Sequence, residues 1–152
     1  MEINTPEEVE AAKSTTADRA DVAFNDGMVG KVFHNYLEVK MALVNADVSA
    51  VQTAAANLTE SFTDERAKVK KLSKQMADAD AIDRQRVLFA EFTIQVEPLI
   101  KGALSEGTIY KQFCPMAFDN QGAYWFADVK EIRNPYFGNE MLTCGEIKET
   151  IQ

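Results

Sequence analysis

Between residues 29 and 44 the chain carries two apolar stripes at once, and this constrains its fold more than any other feature. Val29, Val32, Tyr36, Val39 and Leu43 recur at steps of three and four, the spacing of one helix face. Phe33, Leu37, Met41 and Val44 form a second stripe, which at 100° per residue lies roughly 125° around the same helix. A helix that is apolar on two faces is covered on two faces. The segment therefore belongs in the middle of a structure. Gly27 and Gly30 weaken its early turns. Asn45-Ala46-Asp47 offers a break, with Asp47 as N-cap of the next helix.

Two further helical patterns follow. Val48, Val51, Ala55, Leu58, Phe62, Val69, Leu72 and Met76 keep a heptad seam with one polar intruder, Glu65, and mixed charge on the outer face. Phe89, Phe92, Val96, Leu99 and Ala103 form the seam of a helix over about 80–104. Pro98 lies inside it, where it removes a backbone donor and clashes with the Ile94 carbonyl, so a kink is expected.

From Ile109 onward the character changes. Tyr110, Phe113, Phe118, Tyr124, Trp125, Phe126, Tyr136 and Phe137 crowd a short stretch, with turn chemistry at Asp119-Asn120-Gln121-Gly122 and Arg133-Asn134-Pro135. The runs 110–118 and 123–129 could form a short β-hairpin. Residues 146–151 read as a terminal helical turn or short helix. The expected fold is mainly α: a three- or four-helix up-down bundle with an aromatic, loop-rich C-terminal cap from about residue 109. That cap is the remaining material able to cover the Phe33, Leu37, Met41, Val44 stripe. Residues 1–17 lack a strong apolar period and are expected to be loosely ordered. Residues 18–152 then make one domain, which the length of 152 residues suits.

A formal net charge of -8 argues against a nucleic-acid surface, which needs clustered Lys and Arg. It also disfavours anionic lipid, while cations are compatible with it. No apolar run is long enough for a membrane span, so no membrane insertion is expected. No signal peptide is visible in the sequence.

Cys114-Pro115-Met116 and Met141-Leu142-Thr143-Cys144 concentrate four sulfurs in the C-terminal third. In extended backbone Cys114 and Met116 face one side. Met141 and Cys144, three apart, share one side of a helical turn. Thiolates and thioethers favour Cu(I) and related soft ions. The plainer reading makes the methionines core filler and the cysteines buried hydrophobes or a disulfide, which would close a loop of about 30 residues for roughly 3–4 kcal/mol. His34, the one histidine, lies at the edge of the second stripe. It would approach the sulfurs if the cap packs there, and is otherwise a surface residue. Catalysis is poorly served: there is no phosphate loop and no His-Glu-x-x-His pair, and a single histidine leaves few partners for a nucleophile. Glu91 and Glu97 read as ordinary helix-face carboxylates, Arg133 and Asn134 as turn-stabilising residues, and Trp125 as a core wedge. No enzyme activity is expected.

The segment Tyr36-Leu37-Glu38-Val39-Lys40-Met41-Ala42-Leu43-Val44 resembles the first-helix signature of DUF3347, a bacterial domain family of unknown function. The C-terminal signature is similar through Cys114-Pro115-Met116-Ala117-Phe118, Gly122-Ala123-Tyr124-Trp125, Glu131 to Gly138 and Met141-Leu142-Thr143-Cys144-Gly145. The resemblance covers roughly residues 20–152. Members occur as exported proteins and attached to periplasmic adaptor subunits of heavy-metal efflux pumps. The resemblance therefore implies a periplasmic or otherwise extracytoplasmic protein in a copper or silver handling context, and the sulfurs make binding or chaperoning Cu(I) or Ag(I) the expected function. Its partners would be the metal ion and an efflux adaptor or other periplasmic protein. Cys114, Met116, Met141 and Cys144 are the motif positions, with His34 as a further candidate ligand. Relatives are richer in histidine near the cysteine, where this chain has Phe113. The alternative is a protein-interaction domain with a structural Cys114–Cys144 disulfide and no metal.

Overall fold

A computed structural model describes residues 22–137 and 143–152. The expected loose segment over 1–17 and the candidate ligand Met141 lie outside those residues.

The doubly apolar segment forms α1 (Gly27–Val44), in which Val29, Val32, Phe33, Tyr36, Leu37, Val39, Met41, Leu43 and Val44 are all buried. Asp26 caps its start by accepting from the Met28 N–H at 2.8 Å. Asp47 caps α2 (Val48–Glu60) by accepting from the Ala50 N–H at 3.0 Å, as its position before an apolar period predicts. The heptad seam from Val48 to Met76 is not one continuous helix. It breaks after Glu60, passes a short 3-10 turn (Asp64–Arg66), and resumes as α3 (Ala67–Asp78). The reason is local competition for backbone acceptors. Thr59 Oγ1 donates to the Ala55 carbonyl at 2.8 Å and Ser61 Oγ to the Asn57 carbonyl at 3.1 Å. Asn35 Nδ2 of α1 then donates to Ser61 Oγ at 2.7 Å, pinning the break. α4 (Ile82–Ala103) runs through Pro98. Pro98 and Ile94 both lie on the exposed face, so the missing hydrogen bond is on the side that water reaches. Consecutive helices pack on one another, and α4 returns to α1.

Mainly helical structure is thus accompanied, among the described residues, by two small antiparallel sheets. β1 (Ala23–Phe24) pairs with β2 (Leu104–Glu106) beside the start of α1. β3 (Ile109–Cys114) lies between β4 (Ala123–Ala127) and β5 (Glu146–Ile151). The expected hairpin is present, since Tyr110 pairs with Ala127 and Cys114 with Ala123. Residues 146–151 are a strand and not the helical turn expected from sequence. Pairing with β3 supplies their backbone hydrogen bonds, and the β-branched Ile147, Thr150 and Ile151 suit that surface.

The sheet sits mainly on α4. Lys111 of β3 meets Glu97 at 3.0 Å, Lys101 bridges Glu97 and Glu149 of β5 at 2.9 Å each, and Arg86 Nε donates to the Pro135 carbonyl at 3.1 Å. Burial pushes the Glu97 carboxyl up, but the two lysines outweigh it and hold its pKa below the ordinary value. The cap borders part of the second α1 stripe, where Asp128 lines a hollow with Phe33 and Leu37, and other elements meet the rest. Phe33 packs on Phe24 of β1 with ring centroids 5.5 Å apart. Met41 and Ala42 border a groove with Ala50 and Ala54 of α2. The cap also reaches α1 through Tyr36, which belongs to the first stripe. Its ring lies between Phe33 and Phe89, with Phe92 and Phe126 alongside. Its hydroxyl shares a 2.8 Å hydrogen bond with Thr93 Oγ1 of α4 and accepts from the Phe126 N–H of β4 at 3.0 Å. Complete burial pushes this phenol's pKa well up.

Removing that hydroxyl leaves the Phe126 N–H without its partner in the buried core. Tyr36→Phe is expected to destabilise the fold by about 1–3 kcal/mol, the cost of an unsatisfied buried donor. Urea unfolding measures it, and a change near zero would contradict the bridging role.

Candidate functional site

The alternation of β3 places Gln112 and Cys114 on one side, and the register sets Trp125 and Ala123 opposite them. The small Ala123 leaves room at the strand end for a sulfur. Trp125 Nε1 donates to Gln112 Oε1 at 2.6 Å, and Gln112 Nε2 reaches the carbonyls of Val129 and Lys130 at 3.2 Å each. One buried amide thus ties the strand pair to the loop that follows β4.

That loop brings in the second cysteine. Asn134, fully buried, accepts from the Tyr136 N–H at 2.8 Å and donates through Nδ2 to the Cys144 carbonyl at 2.9 Å. Tyr136 Oη donates to the Tyr124 carbonyl at 2.6 Å. Gly145 follows with φ +149, a backbone region open to glycine. A Cβ there would stand 3.0 Å from Trp125 Cη2 and 3.1 Å from the Phe113 carbonyl oxygen. The chain can press this closely onto Trp125 only without a side chain.

The result is a thiol pair. Cys114 Sγ and Cys144 Sγ are 3.3 Å apart across thirty residues of chain, with Cys114 fully buried and Cys144 partly exposed. The pKa of Cys144 is raised, first by its hydrogen bond to Cys114 and then by burial. A disulfide would need the sulfurs to close to about 2.05 Å. A soft ion held by both at ~2.3 Å, the zinc–thiolate length, would need them ~3.7–4.6 Å apart. The pair stands between those two states.

The other expected residues are distributed differently. Met116 is 46% exposed, on the turn that leaves Cys114. Its neighbours Phe118, Asp119 and Asn120 have φ of 53°, 55° and 69°. Aspartate and asparagine tolerate that region, whereas Phe118 is held there by its ring against Tyr136 at 5.3 Å. His34 is not brought to the sulfurs. It lines a surface hollow with Phe24, Phe33, Leu37 and Asp128. Asp128 lies just past the end of β4 opposite Ala123, roughly 16 Å along the strand from the residue that faces Cys114. Among the described residues, no group of three or more His, Cys, Asp or Glu side chains converges. The chemistry of the two thiols, with the Met116 thioether two residues along the chain from Cys114, fits a low-coordinate soft ion better than zinc, which takes four ligands.

The family model described as a protein of unknown function, DUF3347, matches residues 32–107. The chain belongs to this family. No curated protein and no solved structure matches it. Within this DUF3347 protein the matched stretch runs from α1 to the end of β2, so both thiols lie beyond it. No helix among the described residues is long and apolar enough to cross a membrane.

Sequence reasoning singled out the two cysteines but missed Gln112, Asn134 and Gly145 as their supports. Asn134 was legible as a turn residue, though its reach to Cys144 was not. A glutamine in the strand run before Cys114, facing a tryptophan, was the available signal for Gln112.

Two outcomes follow from this geometry. Gly145→Ala is expected to cost about 1–3 kcal/mol in thermal or urea unfolding, since strain and crowding coincide there. The raised Cys144 pKa sets a sign with pH. The folded thiol keeps its proton where an unfolded cysteine, near pH 8.5, has lost it. This stabilisation is complete below the unfolded value and is lost as pH rises through the folded one. Reduced wild type should therefore lose more stability than Cys144→Ser between about pH 8 and 10. Parallel slopes would contradict the coupling.

Proposed function

We propose that this DUF3347 protein is a non-enzymatic module that binds a soft metal ion, Cu(I) or Ag(I), through Cys114 and Cys144. The observation that carries this reading is the 3.3 Å separation of two sulfurs delivered by distant segments, one of them open to solvent. An ion could exchange at Cys144 while Cys114 anchors it in a dry setting. Met116 offers an exposed thioether two residues from Cys114. Met141 is the fourth sulfur of the sequence motif. Binding would displace thiol protons, so affinity would rise with pH. We read the four helices as an up-down bundle that serves as the rigid support for the cap. The family resemblance supports an extracytoplasmic setting beside a heavy-metal efflux adaptor, where soft ions are the cargo. Among the described residues the one histidine, His34, lies at the other end of β4 from the thiols, which favours binding over catalysis.

A second reading has its own observation. Cys114 is completely buried, and a neutral disulfide would avoid placing thiolate charge there. The protein would then be an interaction domain closed by a Cys114–Cys144 bond. Oxidising compartments favour that state.

Titration of reduced protein with Cu(I) against a competing chelator decides the first reading. One ion per chain is expected, with affinity falling by more than roughly 100-fold in Cys114→Ser and Cys144→Ser, beyond the usual cost of losing a supporting group. Met116→Leu and Met141→Leu should show smaller losses. Absence of binding by the reduced wild type would overturn the proposal. Thiol counting on protein purified without reductant tests the second reading.

A further inference from the structure

The two thiols differ in access, and that difference has a chemical consequence. Cys114 closes β3 opposite Ala123 and has no exposed surface, whereas Cys144 is partly exposed. Asn134 holds the Cys144 carbonyl and Gly145 packs on Trp125, so Cys144 cannot swing away without breaking both contacts. The sulfurs are already at 3.3 Å.

We propose that Cys144 is a modification site for small-molecule disulfides of the glutathione type, and that Cys114 resolves the adduct. The Cys144 thiol loses its proton and its sulfur attacks one sulfur of RSSR. A Cys144–S–SR bond forms, the RS–SR bond breaks, and RS⁻ leaves and is protonated to RSH. Cys114 then loses its proton and attacks Cys144 Sγ. The Cys114–Cys144 bond forms as the second RS⁻ departs and takes a proton. The protein dithiol is oxidised by two electrons, and one RSSR is reduced to two RSH. The second step is intramolecular between neighbours already in contact, so it outpaces the first. The order is fixed by access, because an outside disulfide meets Cys144 and not Cys114. The product has no thiolate ligand left. As regulation of the metal site this rests on the reading above, with oxidation switching binding off. As chemistry of the thiols it stands without it.

The test is incubation of the reduced full chain with oxidised glutathione, acid quenching and intact-mass analysis. Wild type should pass to the internal disulfide with no lasting adduct. Cys114→Ser should retain one glutathione, mapped to Cys144, and Cys144→Ser should stay unmodified while its circular dichroism remains native. Limiting iodoacetamide on reduced wild type gives a measurement that needs no variant, and Cys144 should be alkylated first. A persistent wild-type adduct, equal adducts on both folded variants, or first alkylation at Cys114 would each overturn the inference. Failure here with Cu(I) binding intact sinks only the exchange chemistry. Ordered exchange without Cu(I) binding sinks only the metal reading.

Discussion

A phenol buried in a dry core must use its hydroxyl, and Tyr36 uses it to join three elements. It shares a hydrogen bond with Thr93 of α4 and accepts one from the Phe126 N–H of β4, ninety residues away in sequence. Among the described residues β4 is an edge strand, and an edge presents unpaired backbone groups. Tyr36 satisfies one of them at Phe126, and Tyr136 satisfies another at the Tyr124 carbonyl. Two tyrosines thereby occupy one donor and one acceptor of that edge. The same bond seats the sheet on the helices, and the position of the thiol pair depends on that seating.

From this seat the remaining contacts run outward in order. Trp125, next to Phe126, finds Gln112 across the strand pair, and Gln112 holds the loop carbonyls after β4. The loop carries Asn134, and Asn134 holds Cys144 beside Cys114. Each step satisfies a buried polar group that would be costly if left alone. The site is thus built from backbone carbonyls and amide side chains rather than from charged pairs. The charged network of Glu97, Lys101, Lys111 and Glu149 lies on the other side, where the sheet meets α4.

The helices were largely legible because burial stamps a period on the sequence. Val29 to Leu43 marked one face of α1, and Asp47 marked the start of α2. The break between α2 and α3 was hidden because Phe62 keeps the heptad while Thr59 and Ser61 divert backbone acceptors. β5 was hidden because Glu146 to Ile151 is a short charged run whose strand state comes from its partner β3. The cap was expected on the second stripe of α1, and Asp128 does border Phe33 and Leu37 there, but Tyr36 of the first stripe also bonds to β4. Apolar spacing shows which residues are buried and is silent about which neighbour buries them.

By itself the sequence determined a mainly helical chain, an aromatic C-terminal cap, and sulfurs concentrated in two short segments. Local periodicity and turn chemistry are properties of neighbouring residues, so one strand of text contains them. Only the tertiary structure decided that Cys114 and Cys144 stand 3.3 Å apart, that Met116 faces solvent, and that His34 lies at the other end of β4. Those facts depend on strand register and on the Tyr36, Gln112 and Asn134 hydrogen bonds, which join residues far apart in the chain. No local pattern encodes such contacts, because their energy appears only once the distant partners have met.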